Sequence, residues 1–374
     1  MQDTIKRLSD LIAIDSQSHN GNKDIIRLLA QWFAQYKSTL QQWKRADGVE
    51  GQNLVIKIPG KKQSQSLVFI GHTDTVPTSK QWEIDPFQLI EKNGKLYGLG
   101  SCDTKGGIAA LISSLFSLKE KPAYDTYIIF DGDEEVSATG AQAFLKTVSL
   151  PSPHFIFLEP TDNQVAIGMR SILQMIITTH GTATHSSQAT PENNKKNNAI
   201  YKMHKILSAL SIDADEYAKN IDQVYGITTQ NFGIIQGGTA MNVFADDCSL
   251  ILERRCLPNI DLQKEFTHVQ ELVTKIDSDA MIRRDQALPS FSLSKSNTFA
   301  QSVLSEAQEI IPSIAFGIFP AWSEAGLFAD RGDVVILGPG SLVHQAHRAN
   351  EYIEKKELLQ FVGVFRNILT GMEL

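Results

Sequence analysis

The sequence is poor in cysteine. Cys102, Cys248 and Cys256 are the only three in 374 residues. They form an odd set with no CxxC pair, which argues against a disulfide framework and against a thiolate zinc site. No apolar run approaches the ~18–20 residues that cross a bilayer. The first segment, Met1 to Ile14, places Ile5, Leu8, Leu11 and Ile12 at helical spacing among charged residues. It lacks the uninterrupted apolar stretch of a signal peptide, so the cytoplasm is the expected location and no membrane partner is expected. Charge of one sign is also scarce: the formal net charge is −7, with both signs mixed along the chain. Nothing resembles the basic stripe that nucleic acid requires. There is no internal repeat, no low-complexity tract, and no G-x-S-x-G elbow of a serine hydrolase.

What is present is a chain with 42% hydrophobic residues, long enough to exceed a single core, so two domains are expected. Asn22 to Tyr36 and Gly106 to Leu118 carry apolar faces of helical period. Short apolar runs at Leu67–Ile70, Tyr127–Phe130 and Phe155–Leu158 read as buried strands, and the alternation implies an α/β layer structure with a largely parallel sheet. The character changes near Arg170. Strand patterns at Ile172–Thr179, Asn231–Gln236, Asp247–Arg254 and Ala280–Arg284 alternate with helical patterns at Asn198–Leu210 and Leu262–Ile276. That β-α-β-β-α-β order is ferredoxin-like. The α/β style then resumes with a helix near Ala300–Ile310, a strand at Val334–Leu337 and a helix from about Lys355 to Leu369. The expected division is a discontinuous α/β domain of residues 1–170 and 287–374, with an inserted α+β domain of residues 171–286.

Each apolar strand of the α/β part ends in residues able to bind metal. Leu67–Ile70 runs into Gly71-His72-Thr73-Asp74, Tyr127–Phe130 into Asp131-Gly132-Asp133-Glu134-Glu135, and Phe155–Leu158 into Glu159-Pro160-Thr161. Val334–Leu337 runs into Gly338-Pro339-Gly340 and then His344 and His347, of which one suffices as a ligand. Ligand sites of open α/β sheets lie beyond the carboxyl ends of the strands, so these clusters could meet in one crevice. Singly each has an ordinary explanation: a polar turn for His72-x-Asp74, an acidic helix start for Glu134-Glu135. In the metal reading, Asp74 accepts the second N–H of His72 and fixes its tautomer. Gly98-x-Gly100 suggests a dinucleotide fingerprint, but the third glycine position is Asp103 and no long strand precedes it. An aspartate before a glycine-rich helix start could instead bridge two cations.

In these motifs the sequence resembles the co-catalytic zinc aminoacylases and deacylases, over nearly the whole chain. The marks are Gly71-His-Thr-Asp-Thr-Val-Pro77, Gly98-Leu-Gly-Ser-Cys-Asp-Thr-Lys-Gly-Gly107, Asp133-Glu-Glu135, Glu159-Pro-Thr161, His185-Ser-Ser187 and Gln345-Ala-His347. The resemblance implies a zinc-exopeptidase-like three-layer catalytic domain with an inserted ferredoxin-like lid and dimerisation domain, and so a homodimer. It implies two divalent metal ions, zinc first with cobalt able to substitute. His72 and Glu159 would hold one, Glu135 and His347 the other, with Asp103 bridging. Glu134 would be the general base, Asp74 the partner of His72, and His185 a contact to the oxyanion. Asn242 and Arg255 match positions that hold a substrate carboxylate, a task suited to amide and guanidinium donors.

Two departures stand out. Thr104 occupies a position where methionine is commoner, and Glu253-Arg254-Arg255-Cys256-Leu257-Pro258 replaces Asp-x-Arg-Pro-Leu-Pro, so Arg254 competes with Arg255 for the carboxylate. The expected substrate is a small N-acyl amino acid. Gly94-Lys-Leu-Tyr-Gly-Leu-Gly100, Leu337–Ser341 and Ser323-Glu-Ala325 resemble the acetylornithine deacetylase branch, which serves arginine biosynthesis. If Glu324 lines the pocket, it would face a cationic side chain; surface exposure is the alternative. The other enzyme reading is the succinyl-diaminopimelate desuccinylase of lysine biosynthesis, or a related N-acyl-amino-acid deacylase or carboxypeptidase.

Overall fold

The computed structural model describes residues 2–373; Met1 and Leu374, the end residues of the expected catalytic domain, lie outside them. The chain divides into two units, Met1–Gly168 with Phe291–Leu374, and Met169–Ser290.

The first unit is built on a nine-stranded sheet. Its order is Lys37–Lys44, Glu50–Ile58, Tyr124–Asp131, Lys62–His72, Pro153–Phe157, Asp333–Ile336, Gln164–Met169 and Phe291–Ser292, and Ala315–Phe319 also pairs with Gln164–Met169. The expectation of a largely parallel sheet needs correcting. Tyr124–Asp131, Lys62–His72, Pro153–Phe157 and Asp333–Ile336 are mutually parallel, but Lys37–Lys44, Glu50–Ile58 and Gln164–Met169 join antiparallel. The four parallel strands have apolar residues buried on both faces, as parallel strands between helices require.

Alternation along these strands sorts the two faces. Leu67, Phe69, Ile128, Phe130 and Ile156 share a core with the helices Gln2–Ile12, Lys23–Trp32, Lys105–Phe116, Thr298–Gln308 and Lys355–Gly371. On the other face, Phe155 and Phe157 meet Phe328 edge-on, and Phe144 of the Thr139–Thr147 helix stacks on Phe328. Helices on both faces give the three layers. The Lys105–Phe116 helix is buried on nearly every side, which explains its apolar character all round. Its second residue pair is Gly106-Gly107, and a Cβ on Gly107 would stand 2.7 Å from the Leu158 carbonyl. Glycine there lets the helix start press against the strand end that leads to Glu159.

The second unit is a four-stranded antiparallel sheet in the order Thr229–Gly237, Asp247–Cys256, Ser171–His180, Met281–Leu288. Numbered by sequence that is 2-3-1-4, the ferredoxin-like order, with the helices Ala199–Tyr217 and Leu262–Ile276 packed together on the sheet. Met203, Ile206, Leu210, Val269 and Val273 from those helices close its core over Leu173, Met175, Ile177, Leu250 and Leu252. Among the described residues, no helix is long and apolar enough to cross a membrane.

Candidate metal centre

The parallel strands bring their carboxyl ends to one edge, with His72 in register with Asp131 and Ile70 with Phe157. His72 ends its strand, Glu134 and Glu135 follow Asp131 after a short turn, and Glu159 follows Phe157 by two residues. The Gly98–Asp103 loop and the segment after Asp333–Ile336 supply Asp103 and His347. All of these belong to the first unit.

His72 Nε2 lies 3.0 Å from Asp103 Oδ1 and 3.6 Å from Glu159 Oε2. His347 Nε2 lies 3.2 Å from Asp103 Oδ2 and 3.1 Å from Glu135 Oε1. The two oxygens of Asp103 therefore face different histidines. Ligand-type atoms of His72, Asp103 and Glu135 fall within 4.8 Å of one another, as do those of His72, Glu134 and Glu159. His72, Asp103 and Glu159 are buried, whereas His347 is half open to solvent.

The acids and imidazoles of this cluster shift one another's proton affinity. Burial pushes Glu159 up to about 7, against the pull of His72, and holds Glu134 well above the ordinary range, with Glu159 adding to the effect. Glu135 is raised by burial too. Burial opposes ionisation of Asp103, yet hydrogen bonds from His347 and His72 keep it below the usual range. Hydrogen bonds to Asp103 and Glu135 lift His347 to about 11. His72 rises despite its burial, through Glu159 and Asp103. Carboxylates that converge on two imidazoles within 3.0–3.6 Å fit cations in the same place. The donors are carboxylate and imidazole without thiolate, a set suited to Zn²⁺ and also to Co²⁺ or Mn²⁺. Cys102, next to Asp103, instead contacts the Ser341 carbonyl and Gln345.

Asp74 lies against His72 by both its main chain and its carboxylate. His72 Nδ1 is nearer the main-chain carbonyl of Asp74, at 3.0 Å, than its carboxylate, at 3.7 Å. That carboxylate also accepts from the Glu134 and Glu135 amides at 3.2 and 3.4 Å and from Ser18 Oγ at 2.8 Å. It thus orients both the histidine strand and the Glu134-Glu135 turn. This turn precedes the Thr139–Thr147 helix rather than starting it, and Asp133 shapes it from φ +73, accepting from Ser137, Thr139 and Arg45.

Glu324 lies beside the cluster rather than on the surface. It is 1% exposed, and burial followed by the facing Asp131 holds its carboxyl well above the usual range. Its neighbour Ser323 donates to Glu159 Oε1 at 3.2 Å. Thr104 donates to the His72 carbonyl at 3.3 Å. His344 lines a 190 Å³ cavity with Asp162, Ile318, Phe319 and Leu342 and makes no contact within the cluster. Glu351 gave no sequence signal, being a lone acid without periodicity. It is buried and accepts from the amides of Gly100, Cys102 and Asp103.

Three of the expected site residues lie in the second unit. His185 is exposed, and its Nδ1 accepts from the Ser187 amide at 3.2 Å, which leaves Nε2 to carry the proton. The Asn242 carbonyl accepts from the Ser186 amide at 2.9 Å. Arg255 pairs with Glu253 at 2.7 Å and is half-buried. Its rival Arg254 is 1% exposed, committed to Glu265, to Asp213 at 2.5 Å and to Gln230 at 2.9 Å. The two neighbours point to opposite faces of the strand, so Arg254 is withdrawn from any substrate role.

Known proteins resemble this chain over most of its length. A profile of Peptidase family M20/M25/M40 matches residues 68–371. A protein of Buchnera aphidicola subsp. Schizaphis graminum named acetylornithine deacetylase is 29% identical over 362 residues, 94% of this chain and 92% of that one. A tripeptidase structure from Staphylococcus aureus superposes with a TM-score of 0.82 at 20% identity, covering 98% and 97% of the two chains. A dinuclear metal-binding peptidase of Bacillus subtilis gives 0.73 at 15% identity, covering 98% and 96%. At these identities the two structures speak for the fold.

Proposed function

The chain belongs to the M20/M25/M40 peptidase family and is a metal-dependent amidohydrolase, and from that premise we propose that it releases acetate and ornithine from N-acetylornithine, as a step of arginine biosynthesis. The observation that carries the reading is Asp103, whose two oxygens face His72 and His347. The naming of relatives similar to almost the whole chain supports the substrate.

In this reading His72 and Glu159 would hold one cation and Glu135 and His347 the other, with Asp103 as the ligand they would share; zinc would be the native metal and cobalt a substitute. Such a pair supplies a Lewis acid for the amide carbonyl and lowers the pKa of a water towards neutrality. Glu134 takes a proton from the attacking water as its oxygen bonds to the carbonyl carbon, and returns it to the nitrogen as the C–N bond breaks. His185 presents Nε2–H to the oxyanion. Arg255 and Asn242 hold the substrate carboxylate. The enzyme works in the cytoplasm as a homodimer, a state supported by the uncovered Thr229–Gly237 edge strand with Phe232, Ile234 and Ile235 exposed.

The test is a steady-state assay of Zn²⁺- or Co²⁺-loaded protein on N-acetylornithine and on succinyl-diaminopimelate. Acetate release from the first is expected, and preference for the second would move the substrate assignment to the other branch. Glu134→Ala should lose about 10²–10⁴-fold in kcat. Full activity in that variant, or in thoroughly metal-stripped enzyme, would sink the mechanism.

A further inference from the structure

The Gly98–Asp103 loop has no regular secondary structure, and Gly100 takes φ +77. Its conformation is nevertheless tied down by a residue 248 positions away. Glu351 Oε2 accepts from the Gly100 amide at 2.9 Å, and Oε1 accepts from the Cys102 and Asp103 amides at 2.8 and 3.0 Å. The Glu351 carbonyl accepts from the Gly98 amide at 3.0 Å. Four of the loop's amides thus converge on one residue, which is 2% exposed. A carboxylate receiving three N–H groups is a strong acceptor.

Glu351 is itself well anchored. The next residues, Tyr352–Glu354, pair antiparallel with Lys95–Tyr97, the strand that feeds the loop. Four residues before it stands His347, whose Nε2 meets Asp103 Oδ2 at 3.2 Å. One short segment therefore holds Asp103 twice, by its main chain through Glu351 and by its side chain through His347.

We infer that Glu351 is a positioning residue for Asp103: by gripping the amides of the Gly98–Asp103 loop it aims the Asp103 carboxylate so that its two oxygens serve two cations. The inference rests on the two-cation reading above. Glu351 itself touches neither substrate nor cation. Glutamine at this position keeps the shape but offers one acceptor oxygen, and its NH₂ would confront an amide N–H. Aspartate keeps the charge and withdraws it by one methylene.

Titration of Glu351→Gln with Zn²⁺ against a chromophoric chelator, beside the wild type, is the test, with circular dichroism as the check of folding. The wild type is expected to bind two equivalents. Glu351→Gln should bind the more weakly held equivalent about 10–100-fold less tightly, with kcat reduced and KM unchanged. Glu351→Asp should fall between the two, and it provides the comparison if Glu351→Gln does not fold. Two equivalents held by a folded variant as tightly as by the wild type would overturn the inference. A wild type that binds no Zn²⁺ would instead overturn the two-cation reading on which it stands.

Discussion

Arg45 donates from Nη1 to Oδ1 of Asp133 at 2.7 Å, and both side chains are almost closed to solvent. This ion pair joins the turn between the strands Lys37–Lys44 and Glu50–Ile58 to the turn that presents Glu134 and Glu135. Asp133 spends its other oxygen on Ser137 and Thr139, so Arg45 is the cationic partner that balances it.

Arg45→Met should therefore act on catalysis as well as on stability. Breaking a buried pair by removing one partner costs about 3–5 kcal/mol, and a small displacement of Glu134 lowers kcat about 10²-fold. Thermal melts with steady-state kinetics check this. A lowered melting temperature with unchanged kcat would confine Arg45 to bracing the fold.

Arg254 and Arg255 should separate cleanly. Arg254→Met strands Asp213 and Glu265 inside the second unit, and chemical denaturation should show a loss of about 3–5 kcal/mol. Arg255→Met should leave stability within about 0.5 kcal/mol and raise KM at least about tenfold, the cost of a charged carboxylate contact. Equal effects of the two on KM would return Arg254 to the substrate site.

The edge strand Thr229–Gly237 offers a direct test of assembly. A charge in the middle of an exposed apolar edge opposes strand pairing. Ile235→Lys should shift the protein from dimer to monomer in light scattering, with the first unit's melting unchanged. A wild type that is monomeric at the outset would remove the dimer from the reading.

His154 should make part of the stability pH-dependent. Burial holds its imidazole below the ordinary value, against Asp333, while it packs on Phe299. The neutral ring is favoured in the fold, so its contribution is complete above the unfolded value and declines as pH falls through that value towards the folded one. Denaturation of wild type and His154→Gln at pH 7 and pH 5 should show the wild type losing more on acidification. Parallel losses would exclude His154 from the effect.

How much of this was legible beforehand depends on the physical signal each part emits. The strands ending in His72, Asp131, Phe157 and Ile336 announced themselves as short apolar runs flanked by acids and histidines, and the helix Leu262–Ile276 by its period. The edge strand Lys37–Lys44 did not, because Lys-Ser-Thr-Leu-Gln-Gln-Trp-Lys is polar and mostly exposed; its place is set by pairing with Glu50–Ile58. Arg45, Ser18 and Glu351 reach the site only through tertiary contacts, which no local pattern records. The pairing of Glu324 with Asp131 is hidden for the same reason: its sequence neighbours gave no sign of Asp131 opposite.

The position of Asp333–Ile336 in the sheet has a consequence for biosynthesis. It lies between Pro153–Phe157 and Gln164–Met169, strands that leave the ribosome far earlier, with the whole second unit translated in between. The second unit can reach its fold while translation continues, since domains fold as units during synthesis. The first unit cannot: its central sheet stays split, and His347 and Glu351 are missing, until the segment beyond the second unit emerges. Metal uptake at the complete centre is therefore an event that follows synthesis of the second unit.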